Sequence, residues 1–209
     1  VRAVAADRWE PYGRVVYSTI PDGFHKLVYD RFHIMKHANS AVDQVRAQEN
    51  RELRAQHDDR LVGAQTIFRY AQENLPERYQ ERFQALRQAD LKTGRAYAIK
   101  ENLRALWTCA DETTGKQHFA LWLEWARNSG LAPIKNLARL VAAHAQGILN
   151  YFRHRITSAT CEGLNNAIAT ISKRAYGYRN LMNLRTALLF HLGGLNLYPA
   201  LPATHAIGR

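Results

Sequence analysis

A change of hydrophobic period near residue 32 constrains this chain more than any other feature. Before it, two short apolar runs, Val1-Arg2-Ala3-Val4-Ala5-Ala6 and Lys26-Leu27-Val28-Tyr29, flank a helical stretch that opens at Trp9-Glu10-Pro11-Tyr12. Proline sits there in a first turn, where its missing N–H is no loss, and Pro21-Asp22-Gly23 turns the chain back. Two short strands joined by a helix predict a parallel pair. Asp7 and Asp30 then fall at its carboxyl ends, the edge at which open α/β sheets build sites. From Phe32 to Gln56 the period becomes helical, with Ile34, Ala38, Ala41, Val42, Val45 and Leu53 on one side and Lys, Arg, Gln and Glu on the other. Further helices are expected over 60–73, 76–89, 92–108, 112–128 and 133–150. Trp122 and Trp125, three apart, are expected to share a buried face.

The last third differs in charge. Residues 151–190 hold six Lys or Arg and a single acid, Glu162, whereas residues 30–60 hold six of each sign. Over all 209 residues the formal net charge is +11, which favours a polyanionic partner, nucleic acid before anionic membrane. Two cysteines, Cys109 and Cys161, are too few for a disulfide framework or a four-cysteine zinc site, and a reducing cytoplasmic setting fits them. No run approaches the ~18 apolar residues of a membrane span. Thr157-Ser158-Ala159-Thr160 offers capping hydroxyls to a helix running to about Ala175; a break follows at Tyr176-Gly177-Tyr178, and a last helix spans about Leu181 to Leu192.

Each candidate residue has a plain reading beside a functional one. Glu162 shares a helix face with Asn165 or Asn166, Ala169 and Lys173; it is either a dipole-stabilised first-turn acid or a metal ligand beside a phosphate backbone. Asp7 and Asp30 either cap turns and helices or hold magnesium. His33 and His37, one turn apart, either hydrogen-bond across to the strand or bind zinc with Asp30. In Arg174-Ala175-Tyr176-Gly177-Tyr178-Arg179-Asn180, cations alternate with aromatics, which suits either an inward-packed helical corner or contact with phosphates and bases. A phosphate-cradling glycine loop, a GxSxG elbow and a Cys–His nucleophile motif are absent.

Taken in order, Asp7-Arg8-Trp9-Glu10-Pro11-Tyr12, then Tyr29-Asp30-Arg31-Phe32-His33-Ile34-Met35-Lys36-His37-Ala38-Asn39, then Cys161-Glu162-Gly163-Leu164-Asn165-Asn166 and Lys173-Arg174-Ala175-Tyr176-Gly177-Tyr178-Arg179-Asn180 resemble the bacterial insertion-sequence transposases of the ISL-three family. The close, Phe190-His191-Leu192-Gly193-Gly194-Leu195, is similar too, so the resemblance covers nearly the whole chain. It implies an α+β, predominantly α chain. Part of a ribonuclease-H-like fold (two parallel strands, residues 1–32) would be followed by a large helical insertion (33–156), then by a catalytic helix and basic DNA-contacting tail (157–209).

The resemblance further implies DDE chemistry: metal-dependent cleavage and transfer of DNA strands at insertion-sequence ends. Asp7 would be the second Asp and Glu162 the Glu, both holding two magnesium or manganese ions. Asp30 and His33 match the Asp-x-x-His signature that braces the site, with Asp30 as a rival second Asp. Asn166, Lys173, Arg174, Tyr176, Tyr178 and Arg179 would contact double-stranded DNA, both terminal repeats and target, in a homo-oligomer of the complete protein. The setting would be the bacterial cytoplasm. Three departures qualify the match. The strand carrying the first Asp and the upstream zinc-binding and helix–turn–helix segments have no counterpart here, and Ala169 stands where the family usually has Lys. A chain with only Asp7 and Glu162 is therefore expected to be inactive alone, and its Asp7 strand to present an unpaired edge. The alternatives are a non-catalytic DNA-binding remnant that regulates a full-length relative, and a helical interaction module whose charge is incidental.

Overall fold

Val4–Ala6 (β1) and Leu27–Tyr29 (β2) pair in parallel, Val4 opposite Leu27 and Ala6 opposite Tyr29. The computed structural model describes residues 1–6, 10–157 and 159–194, with side chains at all of these except 10–12, 159–162 and 165. A parallel pair needs a crossover, and here it contains Glu10–Thr19 (α1) and the short Gly23–Lys26 (α2). The turn between them is tight: the Gly23 N–H donates to the Ile20 carbonyl at 2.9 Å. A Cβ on Gly23 would lie 2.3 Å from the Val16 carbonyl oxygen, so only glycine fits.

Arg31–Arg54 (α3) follows β2 after one residue and forms the axis of the helical part. Its apolar stripe is the expected one: Ile34, Ala38, Ala41, Val42 and Val45 are buried, and Leu53 packs at the margin. Glu77–Gln88 (α4), Lys92–Ala105 (α5), Glu112–Arg127 (α6), Ala132–Ala143 (α7) and Ala145–His154 (α8) complete this part, with α5 and α7 packed along α3. Glu49 interrupts the apolar stripe of α3. It is buried, accepts the Lys92 and Thr93 N–H groups at 2.7 Å each and the Thr93 hydroxyl at 2.6 Å, and so closes the open N-terminus of α5. Lys100, also buried, donates to the Phe68 and Tyr70 carbonyls at 2.8 and 3.2 Å and holds the 61–73 segment against α5. Burial pushes its ammonium below the usual lysine range.

Three expectations need correction. Residues 60–73 do not form one α-helix; they form tight turns with short 3-10 segments at Ile67–Arg69 and Gln72–Asn74. Leu61, Ala64 and Ile67 recur every three residues, and the backbone follows that period with i→i+3 bonds from Ala64 to Leu61 and from Ile67 to Ala64. Residues 133–150 divide at His144, whose ring Nδ1 lies 2.8 Å from the Leu140 carbonyl and whose backbone leaves helical geometry. Trp122 is 1% exposed and donates its indole N–H to Ile99, but Trp125 is 44% exposed. The buried stripe of α6 is Gly115, Phe119, Trp122 and Ala126, and Trp125 lies about a quarter-turn off it.

The chain divides into two compact units, Val1–Ser158 and a second from Ala159 onward. Within the second, Ala159–Arg174 (α9) and Leu181–Leu192 (α10) form a helical hairpin. Asn180 caps α10, its side chain accepting the Met182 N–H at 2.8 Å.

Candidate active site

The carboxyl edge of the β1–β2 pair is built around Asp30. Its N–H donates to the Ala6 carbonyl at 3.2 Å, continuing the ladder one step beyond β2. Its carboxylate accepts the Phe32 N–H at 2.7 Å and caps α3, and the residue is 5% exposed. Strand end and helix start are thus joined through one side chain, which also meets the dipole of a long helix. Asp7 follows Ala6 in sequence and lies outside the described residues. His33, half-buried, meets Phe32 edge-to-face at 5.6 Å. His37, one turn on, is held below the usual histidine range by partial burial and then by electrostatic interaction with His33, Lys36 and His144. Among the described residues no group of three or more His, Cys, Asp or Glu gathers as a metal site, so His33, His37 and Asp30 do not make the zinc cluster that their spacing allows.

Helix α8 grips β2 from its other side. Asn150 donates to the Phe24 and Leu27 carbonyls at 2.9 and 2.8 Å and accepts from Gln146 at 2.8 Å. His154 Nε2 lies 2.7 Å from the His25 carbonyl. Gly147 lets the backbone of α8 reach the Tyr29 ring; a Cβ there would stand 2.4 Å from Tyr29 Cδ2. Burial, then a hydrogen bond with Tyr17, raises the Tyr29 hydroxyl well above the ordinary tyrosine range, so it stays protonated. Sequence reasoning passed over Gly147 and Asn150. The available signal was an amide on the otherwise apolar buried face of α8 with Ile148 and Phe152, which must find partners to be tolerated there.

In the second unit Glu162 lies on the first turns of α9, with its side chain outside the described set. Asn166 and Lys173 follow at helical spacing on the same face, and both are exposed, as are Arg174 and Arg179. The helix ends in a closed Schellman motif: Gly177 N–H to the Ser172 carbonyl at 2.9 Å and Tyr176 N–H to Lys173 at 3.1 Å. That motif holds Tyr176 at φ 51°, in left-handed geometry where glycine is favoured, with its side chain fully exposed. Tyr178 turns the other way and, half-buried, lines a cleft of about 480 Å³ between α9 and α10 with Arg174 and His191. The two tyrosines thus divide the two readings of this corner, one outward and one inward.

The expected site residues thus fall on two short parallel strands with an Asp-x-x-His cap at their carboxyl edge and, in the second unit, on a helix that carries Glu162 ahead of a basic turn. A family model described as a transposase, of the ISL-three type, matches residues 1–188, and the chain belongs to that family. It is 29% identical over 183 residues to the transposase for insertion sequence element IS1001 of Bordetella parapertussis, covering 86% of this chain and 45% of the relative. It is 25% identical over 225 residues to the transposase for insertion sequence element IS1557 of Mycobacterium tuberculosis, strain CDC 1551 / Oshkosh, covering 97% and 50%. The chain therefore spans about half the length of these relatives. No solved structure matches it.

Proposed function

We propose that this chain is the part of a DDE transposase catalytic domain that carries two of its acids, Asp7 and Glu162, and much of its grip on DNA. The observation that supports this most is the family match over residues 1–188, within which the motifs stand in order, with Asp30 capping α3 at the carboxyl edge of the strands. Magnesium or manganese fits Asp7 and Glu162 by donor chemistry, since hard carboxylate oxygens are what such ions take. When bound, two ions activate the attacking water or 3′-hydroxyl and stabilise the leaving oxygen. The remaining carboxylate would come from the portion of the relatives with which this chain does not align. Asp30 and His33 brace the strand end.

The DNA face in this reading comprises Asn166, Lys173, Arg174, Tyr176, Tyr178 and Arg179. Lys173, Arg174 and Arg179 are exposed cations that would meet phosphates of insertion-sequence ends and target. Tyr176 would reach the duplex directly, and Tyr178 would set the angle of the corner. The complete protein would act as a homo-oligomer in the bacterial cytoplasm. The rival is a DNA-binding remnant or regulator without catalysis, which the exposed cations Lys173, Arg174 and Arg179 would serve equally.

Nicking of a DNA substrate carrying the element ends separates the two. The protein as encoded by the gene that contains this chain should nick it with magnesium and lose all nicking in EDTA, while binding to the ends persists. Retained nicking in EDTA would refute the metal assignment, and absence of nicking with magnesium would leave the remnant as the better account. A second prediction concerns Tyr176. Tyr176→Gly relieves a left-handed residue and should stabilise the chain by up to about 1 kcal/mol, yet weaken duplex binding. Melting temperature and affinity moving in opposite directions would support the assignment; unchanged affinity would remove Tyr176 from the DNA face.

A further inference from the structure

A depression on α3 beside Asp30 has a chemistry that the acids do not use. Phe32, Met35, Lys36, Asn39 and Asp43 recur at spacings of three or four, so one stripe of the helix carries them. Arg69, from the 3-10 segment at Ile67–Arg69, stands on the same rim, and the space enclosed is about 440 Å³, within the range of about 300–1,000 Å³ of small-ligand pockets. The Phe32 ring is 59% exposed. Lys36 and Arg69 are exposed cations, and neither has an ion-pair partner among the described residues. The acid on the rim, Asp43, is already matched by Arg46 at 2.8 Å and Gln65 at 2.7 Å. The side-chain oxygen of Asn39 is shielded from solvent yet lacks a hydrogen-bond partner, a costly state for an amide.

An open aromatic face, two uncommitted cations and one unmatched amide are the parts that bind a nucleotide: a surface for the base, charges for the flanking phosphates and a group for the base edge. Inside an intact duplex both faces of each base are covered by neighbours, so Phe32 can be used only by a base that has left the stack or stands at its end. We propose that this depression takes up a single unpaired nucleotide of the DNA strand, its base on Phe32, its phosphates on Lys36 and Arg69, and its edge at Asn39. The inference rests on the reading of the chain as a DNA-processing transposase and adds to it a subsite for a displaced or terminal base, two residues from Asp30.

The test uses the full chain without divalent metal and two probes of one sequence, a blunt duplex and the same duplex with a short oligothymidylate tail, followed by fluorescence anisotropy. The tail should tighten binding roughly ten-fold, and Phe32→Ala should remove that gain while leaving blunt-duplex affinity unchanged. Phe32→Trp should restore it. Arg174→Gln should weaken both probes alike. Should Phe32→Ala lower the melting temperature, Lys36→Gln and Arg69→Gln take its place, and both must shrink the tail preference. Equal binding of the two probes by the unmodified chain, or equal loss on both with Phe32→Ala, overturns the subsite and leaves the DNA-processing reading standing. If neither probe binds at low salt, both readings fall together.

Discussion

Glu162→Gln, made in the complete transposase, should abolish strand transfer while affinity for the element ends stays nearly constant. Glutamine keeps the length and shape of the side chain on α9 and removes only its charge. In the first turns of a helix that charge is worth about 0.3–1 kcal/mol to stability, too little to unfold the chain, so the loss would fall on the chemistry. A strand-transfer assay beside a gel-shift assay separates the two, and transfer at the unmodified rate would refute the assignment. The same assays decide between the two candidate aspartates. Asp7→Asn should behave like Glu162→Gln. Asp30→Asn should retain most activity, because asparagine caps a helix as well as aspartate does and the Phe32 N–H would keep its acceptor. Activity lost with Asp30→Asn and kept with Asp7→Asn would exchange their roles.

Glu49→Ala should destabilise the helical unit by about 3–5 kcal/mol. One buried carboxylate satisfies the Lys92 and Thr93 N–H groups and the Thr93 hydroxyl, and alanine would leave these donors unmatched beside a small cavity. At roughly 2–4 °C per kcal/mol for a chain of this size, the melting temperature should drop by about 6–20 °C. Glu52→Ala, three residues along and joined to Lys92 by an exposed ion pair, is the control, and its cost should stay under about 1 kcal/mol. Thermal melts of both variants suffice; equal effects would mean that Glu49 is no more than another surface acid.

Glu49 also shows what the sequence made legible. It falls on the stripe of Ala38, Val42 and Val45 at helical spacing, so its burial could be read from position, but its identity argued for the solvent side. The need for it arises at the start of α5, 43 residues away in sequence, and no local pattern carries that. Most helices were legible because burial imposes a period, which Ile34, Ala38 and Val42 obey, and the strands because they are short continuous apolar runs, β2 being buried at all three residues. The 61–67 segment misleads because a spacing of three fits both an α-helix face and successive turns. His144 misleads because the apolar pattern runs on across the break that its side chain makes. At the candidate site, Asp30 could be placed at a strand end from its neighbours alone, and the structure adds the cap. Which tyrosine of Tyr176-Gly177-Tyr178 faces outward was not legible, since it depends on which residue takes the left-handed position when α9 ends.

The hold of Asn150 on the Phe24 and Leu27 carbonyls has a consequence for the order in which a nascent chain matures. The strand beside Asp30 leaves the ribosome well ahead of the helix that fixes it, which is made more than a hundred residues later. Short-range contacts in α3 can form during elongation, whereas this closure waits for the intervening helices. This strand edge is therefore among the last parts of the unit to set, and a ribosome stalled before residue 145 would carry a helical intermediate without the clasp of Asn150 on β2.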